Sequence, residues 1–454
     1  MSRGMGRAAL AFVAVVALTA PAAAGASTTD VYYDGSHNVG AGPSVFNGPP
    51  AGSSNTAFGD AVLGDLTTGS SNTGVGTSSL FSVTSGDANV GLGAQVLTFT
   101  KTGAANVAVG VDALHGNSSG SRNVALGHDT LLAMNADDSV AIGFEALRAT
   151  GIGGNVAVGA RALRANTSGF ANTGLGTSAL LGNTTGVSNL ATGAEALTTN
   201  LDGDNNVAGG YRALFANTHG SDNVATGFRS LRNNTTGNRN TATGTNALAA
   251  ATADDNTATG ANALLAATTG YDNVADGSAA LGKTTTGHSN AATGFSALAS
   301  NTTGAYNVAT GRGALFNNVS GAGNVAGGYR ALVSAKGSFN TALGYQAGVS
   351  LSTGSNNVAI ASPGVAGESG RIRIGTAGKQ TAAFLAGVSG VTVAGPAKPV
   401  LVNAAGQLGT AATSGARLSA RMPRSVADLR AVIRRQDRAL RALTRRVAAL
   451  EAAR

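Results

Sequence analysis

Along most of this chain a polar residue is followed by an apolar–small–apolar triplet, a glycine, two variable residues and an Ala-Leu pair. Written out, the unit is Asn-Val/Thr-Ala-x-Gly-x-x-Ala-Leu, followed by a segment such as Asn-Thr-Thr-Gly. The leading Asn falls at 38, 55, 72, 89, 106, 123, 155, 172, 189, 206, 223, 240, 256, 273, 290, 307, 324, 340 and 357, with Ser139 once in its place. That makes twenty units, with fifteen spacings of 17 residues and four of 16. Position 3 is Ala or Gly throughout, position 5 is Gly in nineteen units (Ala361 is the exception), and position 9 is Leu in seventeen. Self-similarity at a fixed period marks an architecture in which each unit packs only on its neighbours.

Each constraint has a physical reading. The alternation at positions 2–4, as in Val107-Ala108-Val109, predicts a short strand. A small residue at every position 3 means that this side of the strand faces something too close for a larger group. The Gly at position 5 marks a sharp corner at positive φ. Ala162-Leu163 and its equivalents place one large apolar group per unit in the interior, on either a second strand or a helical turn. The Asn-Thr-Thr-Gly segments at 183–186, 234–237 and 301–304 read as turns, as does Asn166. Seventeen residues fit one coil of a parallel β-solenoid with two short faces. At about 4.8 Å per coil, twenty coils predict a rod of about 90 Å. In-register stacking would set the leading Asn side chains, among them Asn106, Asn123, Asn155, Asn172, Asn189 and Asn206, in one ladder where each amide bonds the next. The fold class is all-β, a repetitive parallel β-solenoid or β-roll.

Position 4 changes along the chain. It is apolar from Phe58 through Val75, Leu92, Val109, Leu126, Ile142 and Val158 to Leu175, then polar or small from Thr192 through Asp276 to Gly327, and apolar again at Leu343 and Ile360. A wholly buried row would not accept Asp276 without a partner. The row therefore faces solvent or an interface, and its gradient reads either as drift or as a built interface.

Composition agrees with a narrow interior: aromatics are 4% of the 454 residues, there is no Trp, and Gly numbers 67. Hydrophobic residues at 43% argue against disorder. Glycine off any three-residue period excludes collagen. No Cys is present, so packing rather than disulfides must hold the fold. The net charge of +8 sits entirely in 417–454, where eleven Arg face three acids, so the body is not a nucleic-acid binder by charge. At the other end, Arg3 and Arg7, the apolar run Ala8–Ala20 and Ala24-Gly25-Ala26 read as a cleaved secretory signal, with an uncleaved anchor as the alternative. The expected organisation is a signal at 1–26, a lead-in at 27–37, the solenoid at 38–365, a β-rich neck at 366–416 and a basic helix at 417–454. In that helix Val426, Ile433, Leu440 and Val447 fall at heptad a, and Leu429, Gln436, Leu443 and Leu450 at d. This pattern predicts a parallel coiled coil, the alternative being an amphipathic helix docked on the rod. Heptads alone do not separate dimer from trimer.

The repeats over 38–361 resemble the head repeats of trimeric autotransporter adhesins and related phage tail-fibre proteins. The resemblance implies left-handed parallel β-roll coils and three chains side by side. Arg371-Ile-Arg-Ile-Gly375, the stretch Phe384 to Val393, Pro399-Val-Leu-Val-Asn403 and Gly406-Gln-Leu-Gly-Thr410 are similar to the neck before an endosialidase-type intramolecular chaperone. That resemblance implies a trimerising domain that cuts itself off with a Ser–Lys pair. Here the chain departs from the family: no Lys follows Lys398, so Ser414 and Ser419 lack a lysine to take their proton. Neither self-cleavage nor an outer-membrane anchor of amphipathic strands is expected from these residues.

No enzymatic constellation, cofactor motif or metal-ligand spacing emerges. The five His (37, 115, 128, 219 and 288) are scattered and read as surface or turn residues. Asp202-Gly-Asp204-Asn-Asn206 lacks the Gly and closing Glu of a calcium loop. Asp137-Asp138 and Asp254-Asp255 sit in turns without a recognisable shared face, so a glycan-cleaving carboxylate pair is not expected. The expected function is a secreted or cell-surface, homotrimeric fibre displaying a repetitive surface for adhesion. The alternatives are a spacer or coat component without a specific ligand, and an ice-binding solenoid suggested by Thr241-Ala-Thr243 and Thr257-Ala-Thr259. The arginine tail reads as a solvated helix face or, with three chains gathering about 24 positive charges, as a site for an anionic envelope polymer.

Overall fold

The computed structural model describes residues 31–385, 395, 399–410 and 426–451. It divides into two compact units, Met1–Thr381 and Ala382–Arg454. The predicted signal at 1–26 and the stretch holding Ser414 and Ser419 lie outside the described residues.

The first unit is a parallel β-solenoid. Strand β1 (Val31–Tyr33) lies antiparallel on β2 (Val39–Ala41). From β2 to β22 (Ile372–Ile374) every strand is three residues long and pairs in parallel with the next. Register is strict: Val107, Ala108 and Val109 face Val124, Ala125 and Leu126 one coil on. The sheet runs past residue 365, into the segment expected to be neck. Ile372–Ile374 pairs with Val358–Ile360, and the Arg371 N–H donates to Asn357 Oδ1 at 3.0 Å, completing the asparagine pattern of the coils before it. Any neck therefore begins later than the sequence places it.

The Ala-Leu side of each coil is neither strand nor helix. Positions 7, 9 and 17 are left-handed, as at Asp112 (φ 55°), Leu114 (φ 53°) and Arg122 (φ 61°). These residues alternate with right-handed or extended ones, so the chain curls while its amides still point along the rod. Leu114 N–H donates to the Thr130 carbonyl at 3.0 Å in one direction, and Asp112 N–H to the Ala94 carbonyl at 3.1 Å in the other. Each coil thus has one strand face and one hydrogen-bonded turn face. Through the first nineteen coils these positions carry no Val, Ile or Thr, because β-branching is costly at left-handed φ; Val365, at position 9 of the last coil, is not left-handed. At position 5 the demand is stricter: Gly110 has φ 133°, and a Cβ on it would lie 2.5 Å from the Gly127 carbonyl oxygen.

The core is one residue wide. Position 3 (Ala108), position 8 (Ala113) and position 9 (Leu114) are fully buried and repeat along the rod. Where position 8 is Val, a neighbouring position 3 shrinks to Gly: a Cβ on Gly74 would stand 2.5 Å from Val62 Cγ1. The coils of 16 residues lose their residue in the turn before the next strand, so Asn123 donates to the Ala136 carbonyl 13 residues on instead of 14.

In the second unit, β23 (Leu401–Val402) and β24 (Leu408–Gly409) form an antiparallel hairpin closed by the Asn403 side chain, which accepts from the Ala405 and Gln407 N–H groups. One α-helix, Val426–Glu451, follows. It is present as a single helix; no second helix packs on it among the described residues.

Candidate functional site: the inner ladders and outer faces of the solenoid

Inside the coil, Asn at position 1 is buried and does three jobs. Asn123 accepts at Oδ1 from the Ser139 N–H at 3.0 Å, while its Nδ2 donates to Asn106 Oδ1 at 3.0 Å and to the carbonyl of Ala136 at 2.8 Å. Asn206 bonds Asn189 and Gly220 in the same way, and Asn189 bonds Asn172. The ladder is interrupted at Ser139. There the Asn155 backbone N–H donates only weakly to Ser139 Oγ at 3.5 Å, and its side-chain amide, besides the usual bond to Gly169, donates to the carbonyls of Ile152 and Gly153.

A second amide ladder occupies position 12, where the sequence reading placed turn residues. Asn166, Asn183, Asn200, Asn217 and Asn234 are all fully buried. Each of the last four donates to the Oδ1 of the one before, at 2.7 to 2.8 Å. Each of the five also donates to the Gly carbonyl three residues on, as Asn200 does to Gly203 at 2.9 Å. The correction has a simple cause: Asn-Thr-Thr-Gly is a turn, but its first side chain points inward under it.

Outside, positions 2 and 4 form two parallel rows on the sheet face. Position 4 is about two-fifths exposed at Phe58 (42%) and Leu175 (39%) and exposed at Asp276. The threonines Thr243 and Thr259 stand on neighbouring strands of this row. The row thus offers an apolar stripe in the early coils and a polar one in the later coils.

The two edges of the turn face carry the charges. At position 17, Arg122 reaches Asp137 and Asp138 of the next coil at 3.0 and 2.6 Å, and Arg239 reaches Asp255 at 2.7 Å. The guanidinium hydrogen bonds hold the Asp138 and Asp255 carboxyls below the usual carboxylate range. The paired aspartates are therefore ion-pair partners of the coil before them. Asp202 meets His219 at 2.6 Å and Asp204 accepts the Val187 N–H at 2.8 Å, so the two acids of the calcium-like segment are engaged in turns. At position 6, Tyr211 stacks on Phe228 (5.6 Å between centroids) and Tyr329 on Tyr345 (5.3 Å), with Arg229 over Phe228.

Stacking also joins residues that are distant in sequence. Asp112 and Asp129, one coil apart at position 7, and His128 beside them bring three ligand atoms within 4.8 Å of one another. Reading sequence separation in units of 17 rather than as local spacing would have found this group.

Of the expected coiled-coil residues, Ile433 (57%), Gln436 and Leu440 (64%) are exposed on the helix. The side chains of Val426, Leu429, Leu443, Val447 and Leu450 lie outside the described set. In the hairpin, Val400, Leu401, Val402 and Leu408 are all exposed, and so are Phe384 and Leu385 before it. No helix among the described residues is long and apolar enough to cross a membrane. No protein-family model matches the chain, and no curated protein or solved structure is significantly similar to it.

Proposed function

We propose that this chain is a secreted, homotrimeric, non-enzymatic fibre whose solenoid displays a repetitive surface for adhesion. The observation that carries the reading is the partly exposed apolar row on the sheet face from Phe58 to Leu175, with Phe58, Val75, Leu92, Ile142 and Leu175 the most open. A stripe eight coils long runs about 35 Å along one side of the rod, and contiguous apolar surface of this kind marks interaction sites. Chains packed side by side would cover it and leave the polar coils beyond Thr192 free for a ligand. Exposed apolar groups on the hairpin and on the helix, Ile433 and Leu440 among the described residues, support the same conclusion. With Ile433 and Leu440 at a and Gln436 at d, a parallel coiled coil gives the helix its partners at some cost in stability.

Solution mass with a low-resolution envelope tests this. Three chains and a rod of about 90 Å or longer are expected; a compact monomer would overturn the proposal. Replacing Leu92 and Leu175 by Asp should weaken association without unfolding the coils, because both side chains are partly wet. Swapping Arg434, Arg435, Arg438, Arg441 and Arg445 for Gln should release the protein from cell envelopes while leaving it trimeric. Envelope binding unchanged by that swap, or by high salt, would make the tail an oligomerisation device only.

A further inference from the structure

We propose that Asp112, His128 and Asp129 form a binding site for a first-row divalent cation of the zinc type. Their ligand atoms lie within 4.8 Å of one another, on the outer surface of two adjacent coils. His128 Nδ1 is 3.3 Å from Asp129 Oδ1. Two ligands at about 2.1 Å from a tetrahedral zinc are separated by about 3.4 Å, so this pair already stands at coordination distance. Asp112 has to close the remaining gap by side-chain rotation alone.

Electrostatics supplies the second argument. In-register stacking sets Asp112, Asp129 and Glu145 in consecutive coils of one column, a run of like charges. At Glu145 the repulsion is answered by arginines, with Arg164 at 3.0 Å, Arg161 at 3.4 Å and Arg148 at 3.8 Å. Asp112 belongs to no ion pair among the described residues. Asp129 has only His128 and the Nε of Arg148 at 3.5 Å, and that Nε makes no hydrogen bond. Arg148 keeps Glu145 as a partner when a metal takes Asp129. The uncompensated carboxylate of the column is therefore Asp112, and His128 beside it adds a nitrogen ligand.

The scaffold is also rigid where it matters. Asp112 and Asp129 sit at φ 55° and 56°, each held by a hydrogen bond to a neighbouring coil, and the His128 ring rests on Phe144 with centroids 5.8 Å apart. One imidazole with two carboxylates favours zinc, cobalt, nickel or manganese over calcium or magnesium, which prefer oxygen ligands throughout. Three protein ligands leave a fourth position open to solvent.

Titration of the full-length protein with Zn2+ alone, followed by calorimetry and by the visible spectrum with Co2+, tests the site. One ion per chain and a tetrahedral Co2+ spectrum are expected, with calcium binding far more weakly. Asp112→Asn keeps the shape and the His128–Asp129 pair, and should raise the dissociation constant at least tenfold. His128→Ala should abolish the Co2+ spectrum, whereas His219→Ala, which removes a histidine with a single carboxylate neighbour, should change nothing. Absence of wild-type binding would overturn the proposal, as would equal affinity in D112N. Should H128A fail to fold, D112N alone decides.

Discussion

Replacing Asn200 by Leu should cost more than replacing the whole buried run to which it belongs. Asn200 donates to Asn183 Oδ1 at 2.7 Å and accepts from Asn217 Nδ2 at 2.7 Å. The single change leaves one buried oxygen and one buried N–H without partners, at about 1–3 kcal/mol each, so roughly 2–6 kcal/mol in total. Gly203 is not orphaned, because Asn189 also donates to its carbonyl at 2.8 Å. Changing Asn166, Asn183, Asn200, Asn217 and Asn234 together to Leu removes donors and acceptors in pairs. The chief loss is then the Gly237 N–H, which now donates to Asn234 Oδ1 at 3.1 Å. Position 12 has room for the substitute, since Leu66, Met134 and Leu351 occupy it buried in other coils. A second, two-residue run at position 12, Asn301 and Asn318 (3.2 Å), ends with Asn318 Oδ1 buried and unpartnered where the next coil offers Ala335. Hydrogen exchange of the Leu201 amide, bonded to the Thr218 carbonyl at 2.9 Å, reports on these coils locally, and urea unfolding on the whole. The five-fold variant should be no less stable than the single one. Destabilisation growing in proportion to the number of Asn replaced would refute the ladder account.

The strand faces, the left-handed positions and the ion pairs give further expectations. Ala225→Leu, on the buried side of its strand, should lower the melting temperature steeply, whereas Thr226→Leu, facing out, should change stability by less than about 0.5 kcal/mol; equal effects would mean the faces are reversed. Leu214→Ile keeps the side-chain composition but puts β-branching at φ 51°, and should cost about 1–2 kcal/mol more than Leu214→Met; coincident melts of the two variants would exclude left-handed strain as the reason for leucine. Asp138, Asp255 and Glu368 have carboxyls held low by Arg122, Arg239 and Arg373, so their contribution is present above the ordinary carboxylate pKa and lost as pH falls through the lower folded value. Thermal stability should accordingly stay flat from pH 8 to about 5 and decline only below about 4; a fall already at pH 6 would point to histidine instead.

How much of this was legible depended on whether a residue's role is set by its own coil or by its neighbours. The repeat alone determined a parallel solenoid of about twenty coils, because Ala or Gly at position 3, Gly at position 5 and Leu at position 9 recur at one fixed period, so every coil meets its neighbours in the same way. It also determined that position 4 faces outward, since Asp276 has no place in a buried row. The absence of Val, Ile and Thr from positions 7, 9 and 17 of the first nineteen coils was equally present in the sequence, and points to left-handed turns rather than strand or helix on the second face. What only the tertiary structure decided was which way side chains point from an irregular turn and which groups meet across coils. Asn183 and Asn200 look like turn residues until the turn is seen to project them inward, and Ile372–Ile374 looks like neck until it is seen paired with Val358–Ile360. Asp112 and His128 are 16 residues apart in sequence and become neighbours because stacking turns a period along the chain into a contact of a few ångströms.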